Sequence, residues 1–252
     1  MRTHDKVAIV TGGNGGIGKG IARGFARVGG DIVIAARNQK KTAEAAGEIK
    51  KEFGVRVLEV EVDVRQEGQI NAMAKKVLDT FGRIDVLVNN AGMNIRKLPH
   101  ELSAAEYDEI LETNLRSAFL GSKAVYPAMK KGGGGKIINI GSMLSIFGGP
   151  KLLAYGASKG GVVAMTRSLA VAWAADNIQV NAILPGWINT EMTKRARVEI
   201  EGLHERILSR TPIGRWGDPD ELQGAAIFLA SPASDFITGV ALPVDGGFSI
   251  MV

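Results

Sequence analysis

One pair of side chains could exchange a proton with a substrate. Tyr155 and Lys159 stand four residues apart, which on a helix puts both on one face. An ammonium beside a phenol favours the phenolate and draws its pKa down from about 10 toward neutrality. A tyrosine tuned in this way serves as a general acid or base. Ser142 precedes Tyr155 in the chain and lies just beyond a β-branched run at 136–140. Asn89-Asn90-Ala91-Gly92 and Pro185-Gly186 also follow strand-like runs. In an open α/β sheet, ligands bind outside the carboxyl ends of the strands, so these segments would meet at one edge.

A second constellation could hold an anion. Residues 11–20 read Thr-Gly-Gly-Asn-Gly-Gly-Ile-Gly-Lys-Gly, between an apolar run and a helix-period segment. Three registers overlap here. Gly13-x-Gly15-x-x-Gly18 and Thr11-Gly12-x3-Gly16-x-Gly18 both let backbone N–H groups approach a pyrophosphate at a helix N-terminus. Gly13-x4-Gly18-Lys19 is nearly a P-loop, but Gly20 stands where a hydroxyl should hold Mg²⁺. A glycine-rich turn without a ligand is the plain alternative. The second strand-like run ends Ala35-Ala36-Arg37-Asn38, without the acidic residue that binds a ribose 2′-hydroxyl. Arg37 suits a 2′-phosphate instead, although it could simply open a surface helix. Arg96, four residues beyond Gly92, has the planar fork that grips a carboxylate. Otherwise it is a loop-tip arginine facing solvent or pairing with Glu101.

Short β-branched runs alternate with helical periods along the whole chain. Strands are expected over 6–11, 31–35, 55–62, 84–89, 136–140, 178–184 and 240–244. Helices are expected over 17–28, 39–53, 67–81, 103–129, 154–174, 191–208 and 219–230. This pattern predicts an α/β fold of Rossmann type: one doubly wound domain over 1–252, with a seven-stranded, mainly parallel sheet and helices on both faces. The least regular stretch, around 187–215, is the natural place for a substrate lid.

Composition narrows the class further. In 252 residues there are 33 glycines and no cysteine, so disulfides, thiolate metal sites and a cysteine nucleophile are excluded. The three histidines, His4, His100 and His204, have no metal-ligand spacing, and no metal is expected. The net charge of +5 comes from scattered basic pairs, which suit solvated helix faces rather than a nucleic-acid stripe. No run approaches the ~20 apolar residues of a membrane span, and the apolar segment after Lys6 is too short for a signal peptide. A cytoplasmic protein with no nucleic-acid or membrane partner is expected.

Taken in order, these motifs resemble those of the short-chain dehydrogenases/reductases over essentially the whole chain. The resemblance adds Asp63-Val64, Asn114, Pro185-Gly186-x3-Thr190 and Asp245-Gly246-Gly247. It implies hydride transfer between a nicotinamide cofactor and a carbonyl or secondary alcohol. Tyr155 would be the acid/base and Ser142 would hydrogen-bond the reacting oxygen. Lys159 would bind the nicotinamide ribose and tune Tyr155, and Asn114 would hold a water on the proton path. Asp63 and Val64 would flank the adenine, and Asn90, Ala91 and Gly92 the adenosine ribose. Ile188 and Thr190 would meet the nicotinamide amide. Gly12, Asn14, Gly16, Ile17, Gly18, Arg37, Asn38, Pro185 and Gly186 would complete the cradle. Arg37 is one of the basic devices by which such enzymes prefer NADP(H), with NAD(H) still possible. The strings 94–97, 140–143 and 210–219 resemble the sugar-acid branch, including gluconate 5-dehydrogenases and 2-deoxy-gluconate 3-dehydrogenases. They would place Arg96 and Trp187, with Ser142 and Tyr155, on a small carbonyl or alcohol substrate. A homotetramer is the family expectation, supported by the apolar run over 246–252.

Rival readings remain. Residues 156–160 spell the G-x-S-x-G of a hydrolase nucleophile elbow, with Asp176 and His204 following in the required order. An elbow needs a strand just before it, and residues 149–153 read as a loop. A general ketone or sugar reductase of the same family is a nearer alternative. A protein that senses the dinucleotide without chemistry would have no need of Ser142, Tyr155 and Lys159 together.

Overall fold

The computed structural model describes residues 6–251. The first five residues, His4 among them, and Val252 lie outside the described residues, as does the start of the segment read for a leader.

Strand β1 (Val7–Thr11) shows why the sheet forms. All five residues are buried, and their side chains alternate between two apolar layers. Ala8 and Val10 join one layer with Ile21 and Phe25 of α1 (Gly16–Arg27) and Ile49 of α2 (Gln39–Phe53). Val7 and Ile9 join the other with Met73 and Val77 of α3 (Glu67–Phe81). Strand β2 (Asp31–Ala36) repeats the alternation: Ile32 and Ile34 on one face, Val33 on the other. The buried sets of α2 (Thr42, Ala45, Ala46, Ile49) and α3 (Ile70, Met73, Ala74, Val77) each follow the i, i+3, i+4, i+7 stripe that covers a sheet.

Strands β3 (Val57–Glu61), β4 (Val86–Asn89), β5 (Gly135–Ile140), β6 (Ile178–Pro185) and β7 (Ala241–Val244) complete one seven-stranded sheet, ordered 3-2-1-4-5-6-7. Every pairing is parallel, so the expectation of a mainly parallel sheet becomes an entirely parallel one. The order reverses between β1 and β4, which opens a crevice at their carboxyl ends.

Two expected long helices are divided. Instead of one helix over 103–129 there are α4 (Ala104–Leu111) and α5 (Ser117–Lys131), joined by a π-helical turn at Glu112–Arg116. Ser117 Oγ donates back to the Thr113 carbonyl within this turn at 2.5 Å. Asn114 sits within this turn. After α6 (Leu153–Trp173), the expected helix over 191–208 is likewise two: α7 (Glu191–Glu199) and α8 (Leu203–Arg210). Ile200 turns extended and ends the first helix, and Gly202 takes φ +66°, a left-handed conformation from which the second helix starts. Within the stretch read as least regular, these helices pack through Ala196, Leu203 and Ile207 onto Leu184 of β6. Helix α9 (Gln223–Leu229) returns against α1. Among the described residues no helix is long and apolar enough to cross a membrane.

Candidate active site

At the crevice, Thr11 ties two strand ends together. Its hydroxyl donates to Val88 O (3.3 Å) and accepts from the backbone N–H groups of Asn90 (3.0 Å) and Ala91 (3.1 Å). Asn90 Nδ2 returns a bond to Thr11 O at 2.9 Å. The glycine loop therefore runs directly beside the segment that follows β4.

The structure separates the overlapping glycine registers. Gly12 and Gly16 take φ of +66° and +50°, and a Cβ on Gly18 would strike Gly12 O and Asn90 Nδ2. A Cβ on Gly15 would meet nothing. The register Gly12, Gly16, Gly18 is the one this backbone requires. Gly15, the N-cap of α1, offers no side-chain cap, so the first N–H groups of that helix remain available to an anion. Lys19 does not act as a P-loop lysine: it pairs with Glu48 on α2.

A cleft of about 560 Å³ extends from this loop along the sheet edge. Every expected site residue except Gly18 and Asn114 lines it. Those two stand directly behind the lining, against Asn90 and Met93. At one end lie Arg37 and Asn38, with Lys41, which sequence reasoning missed. The missed signal was positional: Asn38 caps α2 by accepting from Lys41 N (3.0 Å), which brings Lys41 round beside Arg37. Asn14 Nδ2 donates to Thr42 Oγ1 at 3.1 Å, fixing the glycine loop to α2. Asp63 is held by Arg65, whose guanidinium donates to both carboxylate oxygens (3.0 and 2.7 Å). That bond holds the Asp63 carboxyl below the usual carboxylate range against the opposing effect of burial, with Arg37 adding a smaller pull.

Ser142, Tyr155 and Lys159 meet at the centre. Ser142 ends the turn after β5; its Oγ accepts from Leu144 N (3.1 Å) and hydrogen-bonds the Tyr155 side chain. Lys159 Nζ lies 5.7 Å from the Tyr155 ring centroid and donates to Ile140 O at 2.7 Å. The expected lowering of the Tyr155 pKa is corrected here. Burial raises it, with the Ser142 hydrogen bond and the Arg96 charge opposing. Lys159 Nζ sits over the ring face and is hydrogen-bonded to the Ile140 carbonyl rather than to the phenol. Burial instead lowers Lys159 itself to about 8. In the unfolded chain this amine titrates at its ordinary value of 10.5, so the folded protein binds fewer protons between about pH 8 and 10.5. Stability therefore rises with pH across that window, by at most about 1.4 kcal/mol per pH unit. Urea midpoints of the Lys159→Met variant are expected to lack this rise.

Asn114 is buried behind the cleft. Its amide donates to Met93 O (2.9 Å) and Ser158 Oγ (3.0 Å), while Oδ1 accepts from Met93 N (2.8 Å). Asn114 Oδ1 and Lys159 Nζ lie 3.2 and 3.7 Å from where a Cβ on Gly92 would stand, so the two groups converge there. Asn89, by contrast, is a structural residue that bridges to Asn139 (2.9 Å) and Ser122 (3.1 Å). The hydrolase motif dissolves on inspection of the fold. Ser158 lies inside α6, where its hydroxyl donates to Tyr155 O (2.8 Å). Asp176 accepts from Tyr126 (2.7 Å), and His204 accepts from Trp216 Nε1 (3.1 Å), so no triad assembles.

The far end of the cleft carries Arg96 and Trp187. Arg96 has no carboxylate partner among the described residues: Lys97 takes Glu106 (2.6 Å), and Glu101 accepts from Leu98 N instead. Trp187 packs edge-on against Trp216, with ring centroids 5.3 Å apart, and near Phe248. Thr190 caps α7 and lies against Gly16, linking the helical segment to the glycine loop.

A doubly wound parallel sheet, an uncapped helix behind a glycine loop and a Ser–Tyr–Lys centre together define a dinucleotide-dependent oxidoreductase. Residues 12–249 match the family described as "Enoyl-(Acyl carrier protein) reductase", and the chain belongs to the short-chain dehydrogenases/reductases. It is an NAD(P)-dependent oxidoreductase, and the non-catalytic reading is set aside. The chain is 43% identical to 2-dehydro-3-deoxy-D-gluconate 5-dehydrogenase of Dickeya dadantii (strain 3937), over 96% of this chain and 95% of that one. It is 41% identical to 5-keto-D-gluconate 5-reductase of Escherichia coli (strain K12), over 98% and 96%. Among solved structures, a gluconate 5-dehydrogenase from Burkholderia cenocepacia J2315 in complex with NADP and tartrate superposes with a TM-score of 0.94 at 39% identity, covering 100% and 98%.

Proposed function

We propose that the protein interconverts a ketone and a secondary alcohol on a sugar acid, with NADP(H) preferred to NAD(H). The observation that carries this reading is the Arg96 guanidinium, which has no carboxylate partner among the described residues and lines the cleft that holds Ser142 and Tyr155. The names of the similar proteins above support it. The whole chain serves as one cytoplasmic catalytic unit, with 187–215 covering the substrate end.

The residues present fit a dinucleotide: the loop is shaped for close backbone approach, and the Arg37 and Lys41 cations line the same cleft, a charge that suits a 2′-phosphate. When bound, such a cofactor supplies or accepts the hydride. Gly12, Gly16 and the first turn of α1 would hold the pyrophosphate, while Arg37 and Lys41 would hold the phosphate at the ribose. Asp63, Val64 and Asn90 to Gly92 would line the adenosine, and Ile188 and Thr190 would meet the nicotinamide. Ser142 orients the substrate oxygen, and Tyr155, kept neutral by burial, gives it a proton during reduction. Lys159 remains ionised at neutral pH and stabilises the phenolate left behind. Asn114 Oδ1 keeps one lone pair for a water that continues the proton path.

Reduction of a neutral ketone is a second reading, favoured by the apolar lining from Met143, Leu144, Leu152 and Met192. Keto sugar acids, free ketoses and simple ketones, each assayed with both cofactors, separate the two. Higher kcat/KM on the acids supports the first reading, and equal or lower values overturn it. Arg37→Ala is expected to raise the NADPH KM about tenfold while changing that for NADH little, since one charge-assisted contact at an open site is worth roughly 1–2 kcal/mol. Equal efficiency of the unmodified enzyme with both cofactors would count against the preference. The exposed Ile250 and Phe236 near the last strand fit a homotetramer, and sedimentation at micromolar concentration is expected to give four times the chain mass of 26.7 kDa.

A further inference from the structure

Arg65 lines the cleft beside Asp63 but has no part in the chemistry described so far. It grips the Asp63 carboxylate with three N–H groups. Its backbone N–H donates to Oδ1 (3.0 Å), Nη2 donates to Oδ2 (2.7 Å), and Nε is shared between both (3.0 and 3.2 Å). A carboxylate offers about four lone-pair sites, so three donors leave room for one more. The Asp63 side chain lines the cleft with 20% of its surface exposed, so a ligand there can touch it.

Arg65 is itself anchored beyond the cleft. Its Nη1 donates to Glu109 of α4 at 3.3 Å, and its carbonyl accepts from Arg116 Nη1 at 3.0 Å. Arg116 ends the π-helical turn that carries Asn114. On the other side, Asp63 N donates to Gln69 Oε1 of α3 at 2.7 Å. A frame spanning α3, α4 and the π-helical turn thus holds the carboxylate in one orientation, ionised well into the acid range. A part-exposed ion pair stabilises a fold little, so its loss should be felt at the cleft more than in the melting temperature.

We propose that Arg65 is a positioning residue that makes Asp63 select the adenine amino group of the cofactor, acting through the carboxylate rather than by touching the base. The inference rests on the proposed placement of the adenosine beside Asp63, and it is independent of which substrate is reduced. A fixed carboxylate accepts from the amino group and repels the carbonyl oxygen that replaces it in hypoxanthine. A site built to meet a donor rejects the analogue that lacks one.

The test measures Kd, by cofactor fluorescence, for NADPH and for reduced nicotinamide hypoxanthine dinucleotide phosphate. The wild type is expected to bind NADPH about tenfold more tightly, the value of one charge-assisted hydrogen bond. In Arg65→Ala that ratio should fall toward one. Asp63→Ala should lower it equally, and the double variant no further, as for two residues that act as one unit. Arg65→Lys keeps the charge without the fork and should retain part of the ratio. Should alanine at position 65 prevent folding, judged by thermal midpoint, Arg65→Gln removes the charge with less loss of packing. An unchanged ratio in Arg65→Ala, or losses that add in the double variant, would overturn the proposal. A ratio lost in Asp63→Ala but kept in Arg65→Ala overturns the role of Arg65 alone and leaves the adenosine beside Asp63. A wild type blind to the amino group removes that placement and the proposal with it.

Discussion

Tyr155→Phe is expected to lose about a thousandfold in kcat while binding NADPH as the wild type does. The variant removes one hydroxyl and keeps the ring that packs beside Lys159. General acid catalysis by a positioned side chain contributes roughly 10²- to 10⁴-fold, and the lost interaction is made in the transition state. The pKa direction adds a pH signature. Because burial raises Tyr155, its neutral form dominates at physiological pH and is the form that donates during reduction. Oxidation needs the phenolate, so its rate should climb with pH through the alkaline range, while reduction stays flat until the phenol ionises. Steady-state rates in both directions from pH 6 to 10 check this, together with cofactor titration of the variant. Near wild-type kcat in Tyr155→Phe would remove Tyr155 from the mechanism.

Much of this centre was legible in the sequence because strand ends and helix starts carry local signals. The run Val7–Val10 is apolar enough to be buried on both faces, and the helix starts at Gln39 and Glu67 match the structure to the residue. What escaped depends on wider geometry. The π-helical turn that carries Asn114 replaces an unbroken helical period, and nothing in the spacing of 103–129 marks it. The break at 200–202 was signalled only by Gly202 within an otherwise helical pattern. The tuning of Tyr155 was read in the wrong direction. The i, i+4 rule puts Lys159 on the same face, but it does not say that the amine will bond to Ile140 O above the ring rather than reach the hydroxyl. Lys41 was missed because its place at the cleft follows from the Asn38 cap of α2, which only the folded backbone reveals.

The second large effect is expected at Arg96. Arg96→Ala should lose about ten- to a hundredfold in kcat/KM on keto or hydroxy sugar acids, the cost of one charge-assisted pair at roughly 1–3 kcal/mol. A neutral ketone of similar size should be nearly unaffected. The structure narrows the alternatives for this residue. Pairing with Glu101 is removed, because that carboxylate caps Leu98 N and the neighbouring Lys97 is committed to Glu106. Arg96 and Tyr155 line the same cleft, so an acid held there would have to reach both groups at once. Proximity alone would also let Arg96 favour the Tyr155 phenolate for every substrate, and that effect would be blind to the carboxylate. The two roles differ in measurable ways. A carboxylate grip appears as a loss confined to acids and restored in part by Arg96→Lys, which keeps the charge but not the two-pronged geometry. A purely electrostatic effect on Tyr155 appears as an equal loss on acids and neutral ketones, with a shifted pH profile for both. Equal changes on both substrate types, or none on either, would deprive the sugar-acid reading of its main physical support.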